Sequence, residues 1–264
     1  GTLIGSTPNV ITQKFLTEKG IQFGFTDWLI RGLPFMLIMI VICWIVLLLF
    51  FSPEKKIIKM SKHPHPFTKN QKKVAVILGL TILLWVTESI HGIHSSVIAL
   101  IPVVLLYVFN LLDGKDFNKA NWGSLILIGG GVALGMAIDS SGIDDVLSSA
   151  LHGALVDKSY FIVLLILAFA GIAFTSFLSN TAASAVIVPI VTAIAVALGS
   201  NITNLVVAAA AGVSLDFIFP MGTPPSALAH ATGYIRTKDM LKAGIVLSIL
   251  GALALAGMAF FTWI

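Results

Sequence analysis

From Ser159 to Ile235 the sequence holds one formally charged residue, Asp216, in a run that is otherwise apolar or neutral. No soluble domain can be made from such a stretch, because a globule needs roughly a quarter of its residues charged to keep its surface wet. The rest of the chain agrees: 57% of residues are hydrophobic and 11% charged. An all-α polytopic membrane protein follows. Its glycines and prolines are numerous, 23 and 10, which predicts broken or closely packed helices rather than plain spans. A single cysteine, Cys43, excludes a disulfide framework and, by itself, a thiolate metal site. The chain opens on Gly1-Thr2-Leu3-Ile4-Gly5-Ser6-Thr7-Pro8-Asn9, which is interior loop chemistry, so a further N-terminal portion is expected.

A membrane-crossing helix takes about 20 mostly apolar residues. Runs of that kind are Pro34–Ser52, Val74–Ile90, Ile93–Phe109, Trp122–Ile138 and Ala243–Ile264. The long neutral region divides further into Tyr160–Leu178, Ala182–Gly199 and Thr203–Phe219. Lysine and arginine accumulate on the cytoplasmic side of membranes. Placing the loop Pro53–Lys73 inside puts its seven lysines there, and alternation adds Lys115, Lys119, Arg236, Lys238 and Lys242. The C-terminus is then outside, and a bacterial inner membrane is the expected location. The net charge of +4 therefore reads as an orientation signal. It is no nucleic-acid patch, because the basic run lacks interleaved aromatic residues for base stacking. A helical stripe of Ile143, Val146, Leu147, Ala150, Leu151, Ala154 and Leu155 suits a helix lying along the membrane surface or packed on loops.

Two breaks in the apolar pattern carry the functional information. Thr175-Ser176-Phe177-Leu178-Ser179-Asn180-Thr181 joins two apolar runs with neither the length nor the charge to reach headgroup water. It predicts a re-entrant helical hairpin with Ser179-Asn180-Thr181 at its tip inside the protein; a tight turn between two full spans is the alternative. The second break is Phe219-Pro220-Met221-Gly222-Thr223-Pro224-Pro225-Ser226, where three prolines stop a helix that resumes at about Ala227–Tyr234. An unwound stretch within a span frees carbonyls that suit a cation and a helix N-terminus that suits an anion. The opening segment repeats this chemistry: Gly5-Ser6-Thr7-Pro8-Asn9 overlays Gly222–Ser226, or, in another register, Gly1-Thr2 overlays Gly222-Thr223. The charge-derived threading sends the two copies in opposite directions, as inverted repeats of a transporter do.

At these residues the chain resembles the divalent anion:sodium symporter family, the INDY-type di- and tricarboxylate transporters. The family's Ser-Asn-Thr signature matches Ser179-Asn180-Thr181, its Gly-Thr-Pro-Pro element matches Gly222–Pro225, and the first-repeat counterpart matches Gly1–Asn9. The Gly-rich stretch Trp122–Gly131 is also similar, while Ser6-Thr7-Pro8 departs from the family's Thr-Pro-Pro. The resemblance implies sodium-coupled symport of succinate-like carboxylates by an elevator movement in a homodimer, with sodium as the coupling ion and no organic cofactor. It implies a second-repeat sodium site from Thr175, Ser179, Asn180 and Gly222, and a first-repeat site to which this chain contributes Gly1. Substrate would meet Ser179, Asn180, Thr181, Thr223 and Pro224, with Thr2 or Ser6 opposite. Residues 1–52 would end the first repeat and 53–73 form a basic linker. Residues 74–158 would supply the scaffold and its surface helix, and 159–264 the second-repeat transport body.

Other polar residues have weaker patterns. Asp216, near a helix break, is a candidate proton or sodium carboxylate, because intramembrane acids are functional by default; it could equally face water or cap a neighbour. Glu88, His91 and His94 read as interfacial, His63 and His65 as linker, His230 as packed, and Gly129–Gly131 as a close-packing stripe. Asn201-Ile202-Thr203 is a formal glycosylation sequon set close to the membrane. No catalytic residues are expected. An anion exchanger or proton-coupled carrier is the nearest alternative and a channel another. An intramembrane protease would need a histidine beside Ser179 or a second deep aspartate beside Asp216.

Overall fold

A computed structural model describes residues 1–51, 66–119, 122–142, 157–220 and 223–263, together with 146, 153 and 155. These residues form helices and, among them, no strand. After a short 3-10 turn at Leu3–Gly5 come α1 (Thr7–Glu18) and α2 (Phe25–Phe50). Then follow α3 (Lys69–Val86), α4 (Glu88–His91), α5 (Ser95–Ile98), α6 (Leu100–Val108), α7 (Gly114–Asn118) and α8 (Trp122–Ser141). The neutral region supplies α9 (Tyr160–Phe177), α10 (Asn180–Ala197), α11 (Ile202–Val213) and α12 (Pro224–Ala231), and α13 (Thr237–Thr262) closes the chain. Residues 53–65 of the basic linker at 53–73 and most of the stripe at 143–155 lie outside the described residues, and the end of the linker is the start of α3.

Helix ends depart from the sequence expectation where polar groups serve as caps. α2 begins nine residues before Pro34, because Asp27 accepts from the Gly24 amide and Glu88 from the Phe25 amide. Arg31 donates to the Asp27 carbonyl and lies 5.4 Å over the Phe23 ring. Two carboxylates thus complete the N-terminus of α2. α3 starts at Lys69 behind a reciprocal Thr68–Gln71 capping box. The expected single span Ile93–Phe109 is instead two pieces, α5 and α6, and Pro102 lacks the amide that would have bonded the Ile98 carbonyl across that junction. The helix expected to resume near Ala227 begins at Pro224, since a proline's fixed φ suits the first helical turn.

Among the described residues four helices are long and apolar enough to cross a bilayer: α2, α9, α10 and α13. α2 and α13, at 26 residues each, are about 39 Å long at 1.5 Å per residue, more than the ~30 Å hydrocarbon layer requires. Leu37, Trp44, Leu48 and Leu49 of α2 are exposed, as are Val76, Leu78 and Leu83 of α3, a surface that suits lipid and not water. The chain is an integral membrane protein.

The core lies among α1, α9, α10, α11 and α13. Small residues let α9 and α11 meet backbone to backbone. A methyl group at Gly171 would stand 2.7 Å from the Val213 nitrogen, and one at Gly212 would stand 2.6 Å from the Ala168 carbonyl oxygen. Ala168, Ala208 and Ala209 are wholly buried in the same seam, so dispersion between closely approaching backbones holds the pair. α13 is seated by Gly244, where a methyl would overlap the Phe217 carbonyl, and by Ser248, which donates to the Leu215 carbonyl. The stripe at Gly129–Gly131 does not repeat this: no described atom lies within 4 Å of where a Cβ would stand at Gly129 or Gly130. At α7, Lys119 beside Asp116 holds that carboxyl below the usual carboxylate range.

Candidate functional site

Three helix N-termini meet at one cavity of about 880 Å³. Their N-caps are Ser6 for α1, Ser179 for α10 and Thr223 for α12, all with extended backbone and all lining the space. Between α9 and α10 only Leu178 and Ser179 leave helical geometry, so the chain reverses in two residues. The Ser179 hydroxyl accepts from the Ala182 amide, while the Thr223 hydroxyl accepts from the Ser226 amide and donates to the Ser226 hydroxyl.

The α10 end is the richest in free donors. Asn180 and Thr181 are its first two residues, and their amides have no acceptor within the helix ladder. The Thr175 hydroxyl, wholly buried, donates to Asn180 Oδ1. That bond spans the two-residue reversal and fixes the amide side chain. Thr181 shares a hydrogen bond of 2.7 Å with Thr7 of α1, 174 positions away in sequence. Ser214, at the end of α11, approaches the Ser6 hydroxyl at 3.5 Å. Asn9 reaches back to the Thr2 carbonyl at 2.7 Å and so ties the first turn of α1 to the 3-10 segment before it.

α1 and α12 share a local pattern. An N-cap hydroxyl (Ser6 or Thr223) is followed by proline at the second helical position (Pro8 or Pro225) and a polar side chain at the third (Asn9 or Ser226). The overlay of Gly5–Asn9 on Gly222–Ser226 reproduces this, whereas in the other register Thr2 caps only the 3-10 turn.

Of the residues singled out from sequence, Gly1, Ser6, Ser179, Asn180, Thr181, Asp216 and Thr223 line the cavity. Thr175 stands behind Asn180, and Thr2 contributes a carbonyl to Asn9. Pro224 is the first residue of α12, and Gly222 lies outside the described residues. Sequence reasoning missed Thr7, Asn9, Ser214 and Ser226. Asn9 and Ser226 had a signal, their matching place in the overlaid segments; Thr7 and Ser214 had none, because only folding brings α1 against α10 and α11. Apolar walls complete the space, with Trp28, Phe35, Met36 and Met39 from α2 on one side. No lysine, arginine or histidine is among the described lining residues.

The other polar candidates are not among the lining residues of the cavity. Glu88 accepts from the amides of Phe25 and Ser95, joining α2 to α5. His91 pairs with the Leu84 carbonyl, His94 caps α5, and His230 meets Thr237 outside the cavity. Asn201 of the sequon is the N-cap of α11. No cluster of three or more His, Cys, Asp or Glu suited to a metal occurs among the described residues.

Against this geometry, comparison with known proteins is direct. The model of the sodium:sulfate symporter transmembrane region matches residues 1–264. An uncharacterized transporter of Methanocaldococcus jannaschii is 34% identical over 260 residues, covering 95% of this chain and 58% of the relative. One from Haemophilus influenzae is 27% identical across the whole chain and 60% of its own length. The sodium-dependent dicarboxylate transporter SdcS of Staphylococcus aureus is 28% identical over 96% of the chain and 54% of its own. The chain thus spans between 54% and 60% of the length of these relatives.

Proposed function

This chain belongs to the sodium:sulfate symporter family, and from that premise we propose that it forms part of a sodium-coupled dicarboxylate transporter. The single observation that carries the reading is a cavity at three helix N-termini with no basic side chain among its described lining residues. Each N-terminus presents roughly half a positive charge, so three present about +1.5 toward a dianion without any basic side chain. The shortfall is the place for sodium. A hard cation takes oxygen ligands, and the hydroxyls, the Asn180 amide and freed carbonyls are oxygen donors. The reading agrees with SdcS, the sodium-dependent dicarboxylate transporter among the relatives.

In the proposed site Asn180 and Thr181 hold one carboxylate through their amides and side chains, with Thr223 and Pro224 at the α12 end and Ser6 across the cavity. The shared capping pattern favours Ser6 over Thr2 for that place. Sodium of the second repeat takes Thr175, Ser179, Asn180 and the Gly222 carbonyl. Sodium of the first repeat takes a carbonyl of the opening loop, Gly1, with ligands from outside this chain. Alternating access follows if α1, α2 and α9–α13 move as one body. They pack on one another through the core, and α8, which lies against α10 and α1, is the proposed sliding surface of the scaffold. Pairing of scaffolds would make the homodimer, with the loop 53–73 on the cytoplasmic side.

The test is uptake of labelled succinate by proteoliposomes holding the intact transporter. Uptake driven by an inward sodium gradient and absent without sodium supports the reading. Equal uptake without sodium, dependent instead on internal carboxylate, would show an exchanger.

A further inference from the structure

Asp216 is left unused by the site above, although it lines the same cavity. It lies in the non-helical stretch between α11 and α12 and is 3% exposed. Both its carboxyl oxygens are covered, and neither has a hydrogen-bond partner. Its place is rigid. Ser248 donates to the carbonyl of Leu215 on one side, and Gly244 of α13 packs beneath the carbonyl of Phe217 on the other.

Among the described residues no charged side chain lines the cavity beside it, and the amino group of Gly1, which does line the cavity, bonds to neither of its oxygens. On α1, Lys14 pairs with Glu18 at the far end. On α2 the charged groups are Asp27 and Arg31, and the guanidinium is engaged by the Asp27 carbonyl and the Phe23 ring. α9, α10 and α11 carry no titratable side chain beyond Tyr160 at the start of α9, and α12 carries only His230, bonded to Thr237. On α13, Asp239 pairs with Arg236, and Lys238 and Lys242 are exposed. None of these side chains lines the cavity, where Asp216 is the one titratable side chain among the described residues.

An ionised carboxylate buried without a partner costs far more than the neutral acid, and such a group takes up a proton instead. A dianionic substrate entering the same cavity raises that cost further. A metal ion would need a shell of oxygen ligands around the two covered oxygens, whereas a proton needs one oxygen and no added room. We propose that Asp216 is a proton-binding site of the transport cavity, protonated in this conformation. It takes its proton from water on the loading side and returns it to water on the other, so that one proton crosses with the substrate in addition to sodium. This rests on the transport reading given above.

Two measurements on the intact transporter separate the two claims. Infrared difference spectroscopy of the purified protein, with no substrate present, detects the carbonyl stretch of a protonated carboxyl. The band is expected in the wild type at neutral pH, absent in Asp216→Asn, and shifted but present in Asp216→Glu. No band lost in Asp216→Asn overturns the proposal whether or not the protein transports anything. In proteoliposomes at fixed sodium, each pH unit of inward proton gradient should raise steady-state succinate accumulation by up to roughly tenfold, the factor for one coupled proton. Asp216→Asn should abolish that dependence and Asp216→Glu retain it. Accumulation that ignores the proton gradient in the wild type, or a change confined to the sodium titration of Asp216→Asn, overturns proton coupling. Absence of any carboxylate uptake by the wild type would overturn the transport reading and leave the infrared band to decide the proton site.

Discussion

Replacing Thr175 by valine tests whether the hairpin reversal is built to hold a cation. The side chain is wholly buried, and its hydroxyl donates to Asn180 Oδ1 across Leu178 and Ser179. Valine preserves the shape and removes the oxygen. The proposed site then loses one ligand outright, and the Asn180 amide loses the bond that orients it. Leaving a buried polar group without its partner costs about 1–3 kcal/mol. If that loss falls on the sodium-bound state, the half-saturating sodium concentration rises between roughly fivefold and 150-fold, at 1.4 kcal/mol per decade. The assay is a sodium titration of succinate uptake in proteoliposomes at fixed substrate, with melting of the detergent-purified protein as a control for folding. Thr175→Ser keeps the hydroxyl and should return the titration most of the way to wild type. A Thr175→Val protein of normal stability with an unchanged sodium titration would remove Thr175 from the ligand set.

Asn180→Ala should abolish succinate uptake while the purified protein stays monodisperse. The side chain opens into the cavity, so its loss leaves no void in the packed seam, and wild-type transport would count against the site. Gly212→Ala should lower the melting temperature, since the added methyl meets backbone of α9 and overpacking costs about 1–3 kcal/mol. An unaltered melting curve would mean that α9 and α11 are less tightly apposed than described.

Much of the site was legible in the sequence because a bilayer punishes broken backbone. Ser179-Asn180-Thr181 and Gly222–Ser226 interrupt apolar runs with residues that stop helices and carry oxygen, and both interruptions prove to be helix N-termini at one cavity. Helix boundaries were less legible. Asp27 and Arg31 look like the polar edge of a span that begins at Pro34, yet they sit in the first turns of α2 and complete its cap. The break between α5 and α6 was hidden in a uniformly apolar run, with Pro102 as its only mark. Packing glycines could not be told from idle ones: Gly171 and Gly212 are single glycines among alanines, whereas the triple Gly129–Gly131 looks more suggestive and has no described atom close to two of its members. The Thr7–Thr181 bond depends on the docking of α1 on α10, and no local pattern encodes it.

The account turns on mutual neutralisation of anion and cation in a cavity whose described lining residues include no basic side chain, and equilibrium binding measures this without any gradient. Titrating succinate into the purified intact transporter with and without saturating sodium gives one affinity ratio, and titrating sodium with and without succinate gives the other. The account requires both ratios to exceed about fivefold and to be equal, since coupling between two ligands is reciprocal. Succinate that binds as tightly in sodium-free buffer would contradict it.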